Sequence, residues 1–389
     1  MKLLILTSSF PLSLDDGLAA AGLFVADVAR VLAADGHEVD VATPDRPGKK
    51  SEWPSLRVHW LPWPGGDKPL AQIPLADPRE WPGILALARR LPRRIDEICR
   101  AQRIEAVIAM WAVPAGWWAR RLKRTLHLPF VTWCLGSDIW TFGRKPILRS
   151  VVRAALQASD AIYADGLQLA RETEQLSGRR CAFLPSSRML NRELVAPVET
   201  GGRRPLFFFV GRYAPVKGVD VLLEAMALYL RDGGSGELVL RGGGPLEAQL
   251  RARAAQPDLV GRVSIGGFAD QATLVSYLAA CDVQLIPSRQ ESIPVAYSDG
   301  LQMGCPLIVS DVGDMGDLMR RQKVGAVVPP EAPVALAQAM RSFDVGGTDR
   351  YRAAVQAAAA EFDVRQSARI LVEALRQARR PASTNRASS

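Results

Sequence analysis

Short apolar runs alternate with longer helical patterns along most of the chain, and this alternation limits the fold more than any other feature of the sequence. Its first series predicts strands at 2–7, 38–43, 56–61, 106–110, 130–135 and 161–164, and helices at 17–35, 84–103, 115–126 and 147–158. Strands that alternate with helices form a parallel sheet with helices on both faces. The first half is therefore predicted to be a doubly wound α/β domain.

The alternation fades over residues 186–204, a stretch rich in Pro, Gly and Arg that is typical of a linker. The second series predicts strands at 206–210, 237–240, 263–265, 283–286 and 307–309, and helices at 219–231, 246–255, 271–280 and 295–302. We therefore predict two tandem doubly wound parallel-sheet (Rossmann-like) domains, 1–185 and 205–362, that face a cleft. A helix at about 363–380 is long enough to return to the first domain, and the Ser- and Arg-containing tail 381–389 is predicted to be disordered.

The length of 389 residues suits two domains better than one core. The first apolar run ends at the polar Thr7, which is too early for a signal peptide, so we predict a buried first strand. The longest apolar stretch, 106–119, is shorter than the roughly 20 residues of a membrane-spanning helix, and Pro114 interrupts it. A globular, cytoplasmic protein is expected.

Cysteine and histidine are scattered along the chain. The five cysteines form no C-x-x-C pair, and the three histidines lie far apart. This distribution argues against a disulfide framework and against a zinc site, and it favours a reducing compartment. We therefore predict no metal site.

Positive charge is concentrated in one segment. Between Arg79 and Arg153 there are fifteen Lys or Arg and five Asp or Glu, a net +10, so the rest of this +9 chain is close to neutral. A local basic surface implies an anionic partner, which is a nucleic acid, an acidic membrane or a phosphate-bearing acceptor. No nucleic-acid motif accompanies the charge, so we expect no nucleic-acid partner. Tryptophans among the cations fit docking on the inner face of an anionic membrane, and they fit core packing equally well.

A turn with two cations follows the predicted strand 206–210. Gly211 and Arg212 come first, and Lys217 and Gly218 precede the next helix. Ligands of parallel sheets bind at the carboxyl ends of strands, and helix N-termini favour phosphate. Arg can grip two phosphate oxygens at once, and Lys adds a compact charge. The turn therefore predicts a phosphate site; two ordinary surface cations are the other interpretation.

Two further patterns follow strands in the second half. Gly243 and Gly244 precede Pro245 at the start of a helix, where glycines allow a ligand close to the backbone, although tight turns of this kind are common. Glu291 and Asp299 are eight residues apart, about two helical turns, and so lie on nearly the same face. They suit a sugar and ribose hydroxyls, or they are a helix-capping acid and an unrelated surface acid.

Together these residues resemble family 4 of the retaining, GT-B-fold glycosyltransferases, the glycosyl transferases group 1. In the second half, Gly211-Arg212 with Lys217-Gly218 is similar to the family motif G-R-x4-K-G, and Gly243–Pro245 is similar to its G-x-G-P turn. The segment from Glu291 to Asp299 is similar to its signature of two glutamates separated by seven residues. In the first half, Thr7–Pro11 with Gly17 resembles the acceptor-side loop, and Leu135–Asp138 resembles its H-G-S-D element.

The resemblance implies a hexosyltransferase that uses a nucleotide-diphosphate sugar, an acceptor that is a glycan or lipid-linked, and no cofactor. Arg212 and Lys217 would hold the diphosphate in place of a metal ion, and Glu291 would steady positive charge on the donor sugar. Asp299 would bind the ribose hydroxyls. The remaining donor-binding residues implied are Gly211, Gly243, Gly244, Pro245, Ser292, Ile293 and Val295. The implied acceptor-side residues, on the N-terminal domain, are Phe10, Pro11, Gly17, Gly136, Ser137 and Asp138.

The chain departs from the family pattern at several positions. Leu135 replaces a histidine that contacts the donor sugar, Asp299 replaces a glutamate, and Pro294 replaces a glycine and has no N–H to donate. The Pro-Asn-Gly turn before the linker is Pro-Ser-Ser at 185–187. These departures leave open a non-catalytic partner subunit of the same fold, and a nucleotide-sugar epimerase is a further alternative. A nicotinamide oxidoreductase is excluded because the first strand lacks a glycine-rich turn after it.

Overall fold

The structure is a computed structural model that describes residues 1–13, 22–62 and 81–379. The chain divides into two compact units: Met1–Ser186 joined by the chain from Val364 onward, and Ser187–Asp363. All strand pairs in the described residues are parallel. The prediction of two Rossmann-like α/β domains is thereby confirmed.

The first unit contains a seven-stranded sheet in the order β3-β2-β1-β4-β5-β6-β7. Its elements are β1 Lys2–Leu6, α1 Leu23–Ala34, β2 Glu38–Pro44, β3 Leu56–Leu61, α2 Trp81–Gln102, β4 Ala106–Met110, α3 Trp117–Leu126, β5 Phe130–Cys134, α4 Pro146–Ala158, β6 Ala161–Ala164, α5 Leu167–Ser177 and β7 Ala182–Phe183. Every residue of β4 and β5 is buried. Such continuously apolar strands are typical of a parallel sheet covered on both faces.

The second unit contains a six-stranded sheet in the order β10-β9-β8-β11-β12-β13. Its elements are β8 Leu206–Val210, α6 Val219–Arg231, β9 Glu237–Arg241, α7 Glu247–Ala254, β10 Val263–Gly266, α8 Gln271–Ala280, β11 Val283–Ile286, α9 Val295–Gln302, β12 Leu307–Ser310, α10 Met315–Gln322, β13 Gly325–Val328, α11 Pro333–Gly346 and α12 Arg352–Glu361. Its core joins apolar residues of the central strands to α6 and α11. This sheet carries the loops of the predicted donor motifs.

Each sheet reverses its strand order once. The reversal lies between β1 and β4 in the first unit and between β8 and β11 in the second. Ligands of open parallel sheets bind beyond the carboxyl ends of the strands at this position, where the flanking loops diverge to opposite faces. The loops after β8 and β11 hold Arg212, Lys217 and Glu291, so the topology places the predicted donor motifs at such a reversal.

The C-terminal helical region is divided between the two units. After α12, the helix α13 Val364–Arg379 packs against α1 and β5 of the first unit. Its buried side chains, among them Val364, Ala368, Leu371 and Leu375, recur every three or four residues, so one face of the helix is apolar. The hydroxyl of Ser367 also donates to the carbonyl oxygen of Pro185, 3.4 Å away.

Some predicted boundaries differ from the structure. The predicted linker 186–204 belongs to the second unit from Ser187 onward, because Arg192–Leu194 packs against α8. The predicted helix 115–126 begins at Trp117 in the structure, and the segment 112–116 before it is kinked, with Val113 in an extended conformation as is usual for a residue that precedes a proline. Residues 381–389 and part of the predicted helix 17–35 lie outside the described residues. In the residues that are described, no helix is long and apolar enough to cross a membrane.

Candidate active site

The loop after β8 carries the two predicted phosphate-binding cations. It turns back through a short 3-10 helix, Pro215–Lys217, and enters α6 at Val219. Gly218 has a φ of +65°, and a Cβ atom there would lie 2.0 Å from the carbonyl oxygen of Pro287 in the loop after β11. Only glycine allows this close approach without strain. Gly218 therefore sets the packing of the β8 loop on the β11 loop.

The two cations have different surroundings. Arg212 is exposed, and within the described parts of the chain its guanidinium has no hydrogen-bond or ion-pair partner. The Lys217 side chain is only 20% exposed, and its ammonium group forms an ion pair with the Glu291 carboxylate, which is equally buried. The structure thus joins a predicted phosphate ligand to the predicted catalytic acid, which lies 74 residues further along the chain.

Arg289 fixes the loop after β11 in place. Its backbone N–H donates to the carbonyl oxygen of Val216 over 2.9 Å, and its guanidinium donates to both oxygens of Asp220 over 2.8 Å. A further bond of 2.9 Å reaches Glu331. The hydrogen bonds from Arg289 hold the pKa of the Asp220 carboxyl below its usual range. The sequence analysis did not identify Arg289 as a site residue, although it stands two positions before Glu291.

The N-terminus of α9 adds uncharged donors beside Glu291. Its N-cap residue is Pro294, and no side chain caps the first turn. The first backbone N–H groups of a helix have no partner inside the helix, and together they favour an anion. The buried hydroxyl of Ser292 also lacks a hydrogen-bond partner among the described residues. Ile293 and Val295, on either side of Pro294, keep their backbone N–H groups. Pro294 therefore removes only one backbone donor from this segment.

Asp299 lies deeper in α9 and is fully buried. Arg188 donates to both of its carboxylate oxygens, with Nε 3.0 Å from Oδ1 and a second bond from Nη2 to Oδ2. The sequence analysis missed Arg188 because it lies in the predicted linker. The binding of ribose hydroxyls by Asp299 stays a prediction. In the structure, the Arg188 guanidinium already occupies hydrogen-bonding positions of this carboxylate.

The glycine turn after β9 is tied to the loop after β8. A Cβ atom on Gly242 would lie 1.9 Å from the carbonyl oxygen of Gly211, so the two backbones are in contact. The N–H of Tyr213 donates to the carbonyl oxygen of Gly243 over 2.9 Å. The buried Tyr213 hydroxyl donates to the carbonyl oxygen of Gly266 over 2.7 Å, and burial raises the pKa of this phenol. Gly244 and Pro245 follow as an exposed start to α7.

Comparison with known families identifies both halves of the chain. Residues 21–185 match the family described as Glycosyltransferase Family 4, and residues 204–343 match Glycosyl transferases group 1. The chain belongs to the family 4, group 1 glycosyltransferases. Its fold is that of the GT-B glycosyltransferases: the structure of Anabaena HepE in complex with UDP superposes with a TM-score of 0.71 at 17% sequence identity, over 97% of this chain and 100% of the other.

Two curated relatives are similar over shorter segments. Alpha-D-kanosaminyltransferase of Streptomyces kanamyceticus is 31% identical over 137 residues, which are 35% of this chain and 36% of that protein. The amylovoran biosynthesis glycosyltransferase AmsK of Erwinia amylovora is 32% identical over 146 residues, 36% of each protein. Each match therefore spans little more than a third of the relative.

In this family 4 glycosyltransferase, the loop after β1 is packed into the first unit. Phe10 and Pro11 are buried. The Phe10 ring meets Trp53 and Trp60 edge-on, with centroid distances of 5.0 and 6.3 Å. Gly17, the third residue predicted in this loop, lies outside the described residues. The described part of the loop offers an aromatic cluster and no charged group.

Asp138 closes the loop after β5. Its carboxylate is fully buried and accepts backbone N–H groups of Ala112, Leu135 and Ile139 over 2.7, 3.3 and 3.2 Å. Burial raises the pKa of this carboxyl group. These hydrogen bonds join the loops after β4 and β5. Since the Asp138 side chain is not exposed, it is not placed for direct contact with an acceptor. Gly136 and Ser137 form the turn that leads to it.

Trp111 was not predicted as a site residue. It is buried at the end of β4 with a φ of +70°, a left-handed conformation that is costly for a bulky side chain. Its backbone N–H donates to the carbonyl oxygen of Trp133 over 2.9 Å. The backbone N–H of Ala112, the residue after Trp111, donates to the Asp138 carboxylate. This hydrogen bond helps to hold the strained turn in place.

Proposed function

We propose that this protein is a retaining glycosyltransferase that moves a hexose-type sugar from a nucleotide-diphosphate donor to a glycan or lipid-linked acceptor. The observation that carries the proposal is the contact between Lys217 and Glu291 at the strand reversal of the second unit, beside the exposed Arg212. The two cations and the helix N-terminus suit the negative phosphates of a nucleotide-diphosphate sugar. The carboxylate suits the positive charge that develops on its sugar during transfer.

In this proposal the second unit binds the donor. Arg212 and Lys217 bind the diphosphate with the N-terminus of α9, and they stabilise the negative charge that grows on the leaving group. The cations thereby supply the charge that a divalent metal ion supplies in other transferases. The complex of Anabaena HepE with UDP supports a nucleotide donor.

Glu291 is proposed to contact the donor sugar. The bond from the anomeric carbon to the diphosphate breaks, and a bond from the same carbon to the acceptor hydroxyl forms on the same face of the sugar. The hydroxyl proton passes to the leaving diphosphate. Positive charge on the anomeric carbon peaks between these events, and the Glu291 carboxylate stabilises it. Lys217 contacts Glu291 and would also attract the phosphates, which lowers the repulsion between these two anions in one site.

The first unit is proposed to bind the acceptor at an anionic membrane surface. Ile147 on α4 is 84% exposed and stands among exposed cations, including Lys145 and Arg149. On the neighbouring α3, Arg120 lies over the ring of the partly exposed Trp117, 4.9 Å from its centroid. Apolar and aromatic groups flanked by cations suit the interface of an anionic bilayer, where a lipid-linked acceptor would lie.

The proposal is tested first by thermal stabilisation with a panel of nucleotides. Ligands that bind only the native protein raise its melting temperature by mass action, so the diphosphate of the correct base should raise it most. The matching nucleotide sugar is then assayed for transfer with and without saturating chelator, and the two rates should agree. A rate abolished by chelator and restored by magnesium or manganese would contradict the roles given to Arg212 and Lys217. Tight nucleotide binding without transfer to any acceptor would favour the partner subunit.

A further inference from the structure

Two of the five cysteines lie in contact in the second unit. The Cys281 sulfur is 2.9 Å from the Cys305 sulfur, and each thiol also lies 3.5 Å from a backbone carbonyl oxygen, that of Leu278 for Cys281 and that of Pro306 for Cys305. The other three cysteines belong to the first unit: Cys99, Cys134 and Cys181. The contact therefore joins two thiols that the proposed transfer chemistry does not use.

Strand pairing holds the two thiols together. Cys281 follows α8 and precedes β11, and Cys305 precedes β12. These two strands are neighbours in the parallel sheet, where Gln284 pairs with Leu307. The thiols thus lie at the amino ends of two adjacent strands, whereas Glu291 follows the carboxyl end of β11. The length of a strand separates the pair from the proposed donor site.

The thiol contact is close to the geometry of a disulfide bond. The two sulfurs of a disulfide are about 2.05 Å apart, so the sulfurs of Cys281 and Cys305 need to approach each other by only about 1 Å. Cys281 is partly exposed, whereas Cys305 is 2% exposed. A small reagent in solution therefore meets Cys281 first, and Cys305 is the adjacent thiol that can complete an exchange reaction.

We propose that Cys281 and Cys305 form a covalent modification site, at which a low-molecular-weight disulfide such as oxidised glutathione converts the two thiols into an intramolecular disulfide. The Cys281 thiolate attacks one sulfur of the reagent, releases one small thiol and carries a mixed disulfide. The Cys305 thiolate then attacks the Cys281 sulfur, forms the bond between the two cysteines and releases the second small thiol. The cysteines lose two electrons and two protons, and the reagent is reduced to two thiols. The modification does not depend on the proposed transfer reaction.

The disulfide closes a loop around the donor segment. The two cysteines are 24 residues apart, and the chain between them contains β11, Glu291 and α9. A cross-link of this length restricts the unfolded chain and so stabilises the folded one. Because the cross-link lies at the amino ends of the strands, the donor loops at the carboxyl ends should be unchanged. We expect the oxidised second unit to resist unfolding better and to bind nucleoside diphosphate equally well.

The experiment incubates the native full-length protein with oxidised glutathione, or with reduced glutathione as the reference, and then alkylates the remaining thiols in denaturant. Desolvation raises the pKa of the Cys281 thiol, which keeps the reactive thiolate scarce, so the incubation lasts for hours. Alkylated cysteines should fall from five to three. Trypsin cuts after Arg262, Arg289 and Arg320, and without reductant the fragments 263–289 and 290–320 should stay joined, since each contains one cysteine of the pair.

Variants of the cysteines separate the two steps. Cys305→Ser should stop the reaction at the mixed disulfide on Cys281, and Cys281→Ser should leave Cys305 unmodified. Cys181→Ser is the matched control, because it removes a buried thiol of the first unit and should still form the link. Five alkylated cysteines after oxidation of the wild type would overturn the proposal. So would a mixed disulfide that persists on Cys281, or fragments joined between two chains.

Calorimetry then measures the effect on the second unit. The melting transition of this unit should rise by roughly 5–10 °C after oxidation and return to its original temperature after reduction. An unchanged transition in the cross-linked protein would contradict the stabilising effect. A loss of nucleoside diphosphate affinity on oxidation would contradict the separation of the pair from the donor loops.

Discussion

At the carboxyl end of its sheet, the second unit leaves charged motif residues at least partly exposed, whereas the described motif residues Phe10 and Asp138 of the first unit are buried. Arg212 is exposed, and the Lys217–Glu291 pair is partly accessible. In the first unit, Phe10 lies in an aromatic cluster and Asp138 is completely buried. Motif residues at the carboxyl ends of two Rossmann-like sheets thus meet different surroundings.

The difference separates two uses of an acidic residue. Glu291 shares one cation and remains within reach of a ligand, so its charge is available to chemistry. The Asp138 carboxylate accepts hydrogen bonds from three backbone N–H groups, so it stabilises the conformation of the loops after β4 and β5. We infer that substitution of Glu291 should change turnover, and that substitution of Asp138 should change stability.

The largest expected effect is on turnover by Glu291→Gln. Glutamine keeps the size of the side chain but removes the charge that is proposed to stabilise the transition state, so kcat should fall by at least about a hundredfold while donor affinity changes little. Steady-state kinetics and calorimetric titration measure the two quantities. Glu247→Gln on α7 is the control, since that glutamate pairs with Arg251 at the surface. Near-normal kcat in Glu291→Gln would remove the catalytic role and favour the partner-subunit alternative.

The next effect concerns the stability of the first unit. Asp138→Ala leaves three backbone N–H groups without their acceptor, at a cost of about 3 kcal/mol, which corresponds to a fall in melting temperature of roughly 5–10 °C. All nine tryptophans precede residue 187, so tryptophan fluorescence reports the unfolding of this unit. Nucleoside diphosphate affinity should stay constant at temperatures where the protein is folded. An unchanged fluorescence melt, with the exposed Asp35→Ala as the reference, would refute the structural role.

Removing either donor cation should have an intermediate effect. A charge-assisted hydrogen bond contributes about 1.5–3 kcal/mol, so Arg212→Ala and Lys217→Ala should each weaken nucleoside diphosphate binding roughly tenfold or more. Binding of the nucleoside alone should hardly change. Arg231→Ala, at the far end of α6, provides the comparison for loss of a positive charge. Unchanged diphosphate affinity in both variants would mean that the turn is only structural.

The sequence predicted elements well where glycine or proline marks their ends. The strand 206–210 is followed by Gly211, the helix 219–231 follows Gly218, and the helix 295–302 follows Pro294; the structure has the same bounds. The sequence analysis missed α5, β7, α10, β13 and α11; of these, β7 has only two residues and α10 is largely polar. Short or polar elements gain their stability from the packing of neighbours, which local sequence does not display.

The pairing of site residues was less predictable than the residues themselves. Lys217 and Glu291 were each identified from a local motif, but their contact depends on β8 and β11 being neighbours, which follows from strand order. Arg188 and Asp299 are 111 residues apart, and nothing near Arg188 in the sequence marks it as a partner. Burial was also hidden: the Gly-Ser-Asp motif gave no sign that Asp138 is enclosed.

The smallest expected effect is that of Asp299→Asn, which tests whether a buried acid of the second unit resembles Glu291 or Asp138. Asparagine keeps one acceptor oxygen and loses the charge. If the side chain binds ribose, affinities for the donor and the free nucleotide should fall together by about fivefold, the loss of roughly 1 kcal/mol from one hydrogen bond, with kcat preserved. If it serves only to hold Arg188, the melting temperature should fall and nucleotide affinity should not. Arg188→Gln separates the two roles, because it removes the cation and leaves the Asp299 carboxylate in place. A loss of nucleotide affinity in Asp299→Asn but not in Arg188→Gln would assign the ribose to Asp299, whereas equal losses in both would assign the pair to positioning α9.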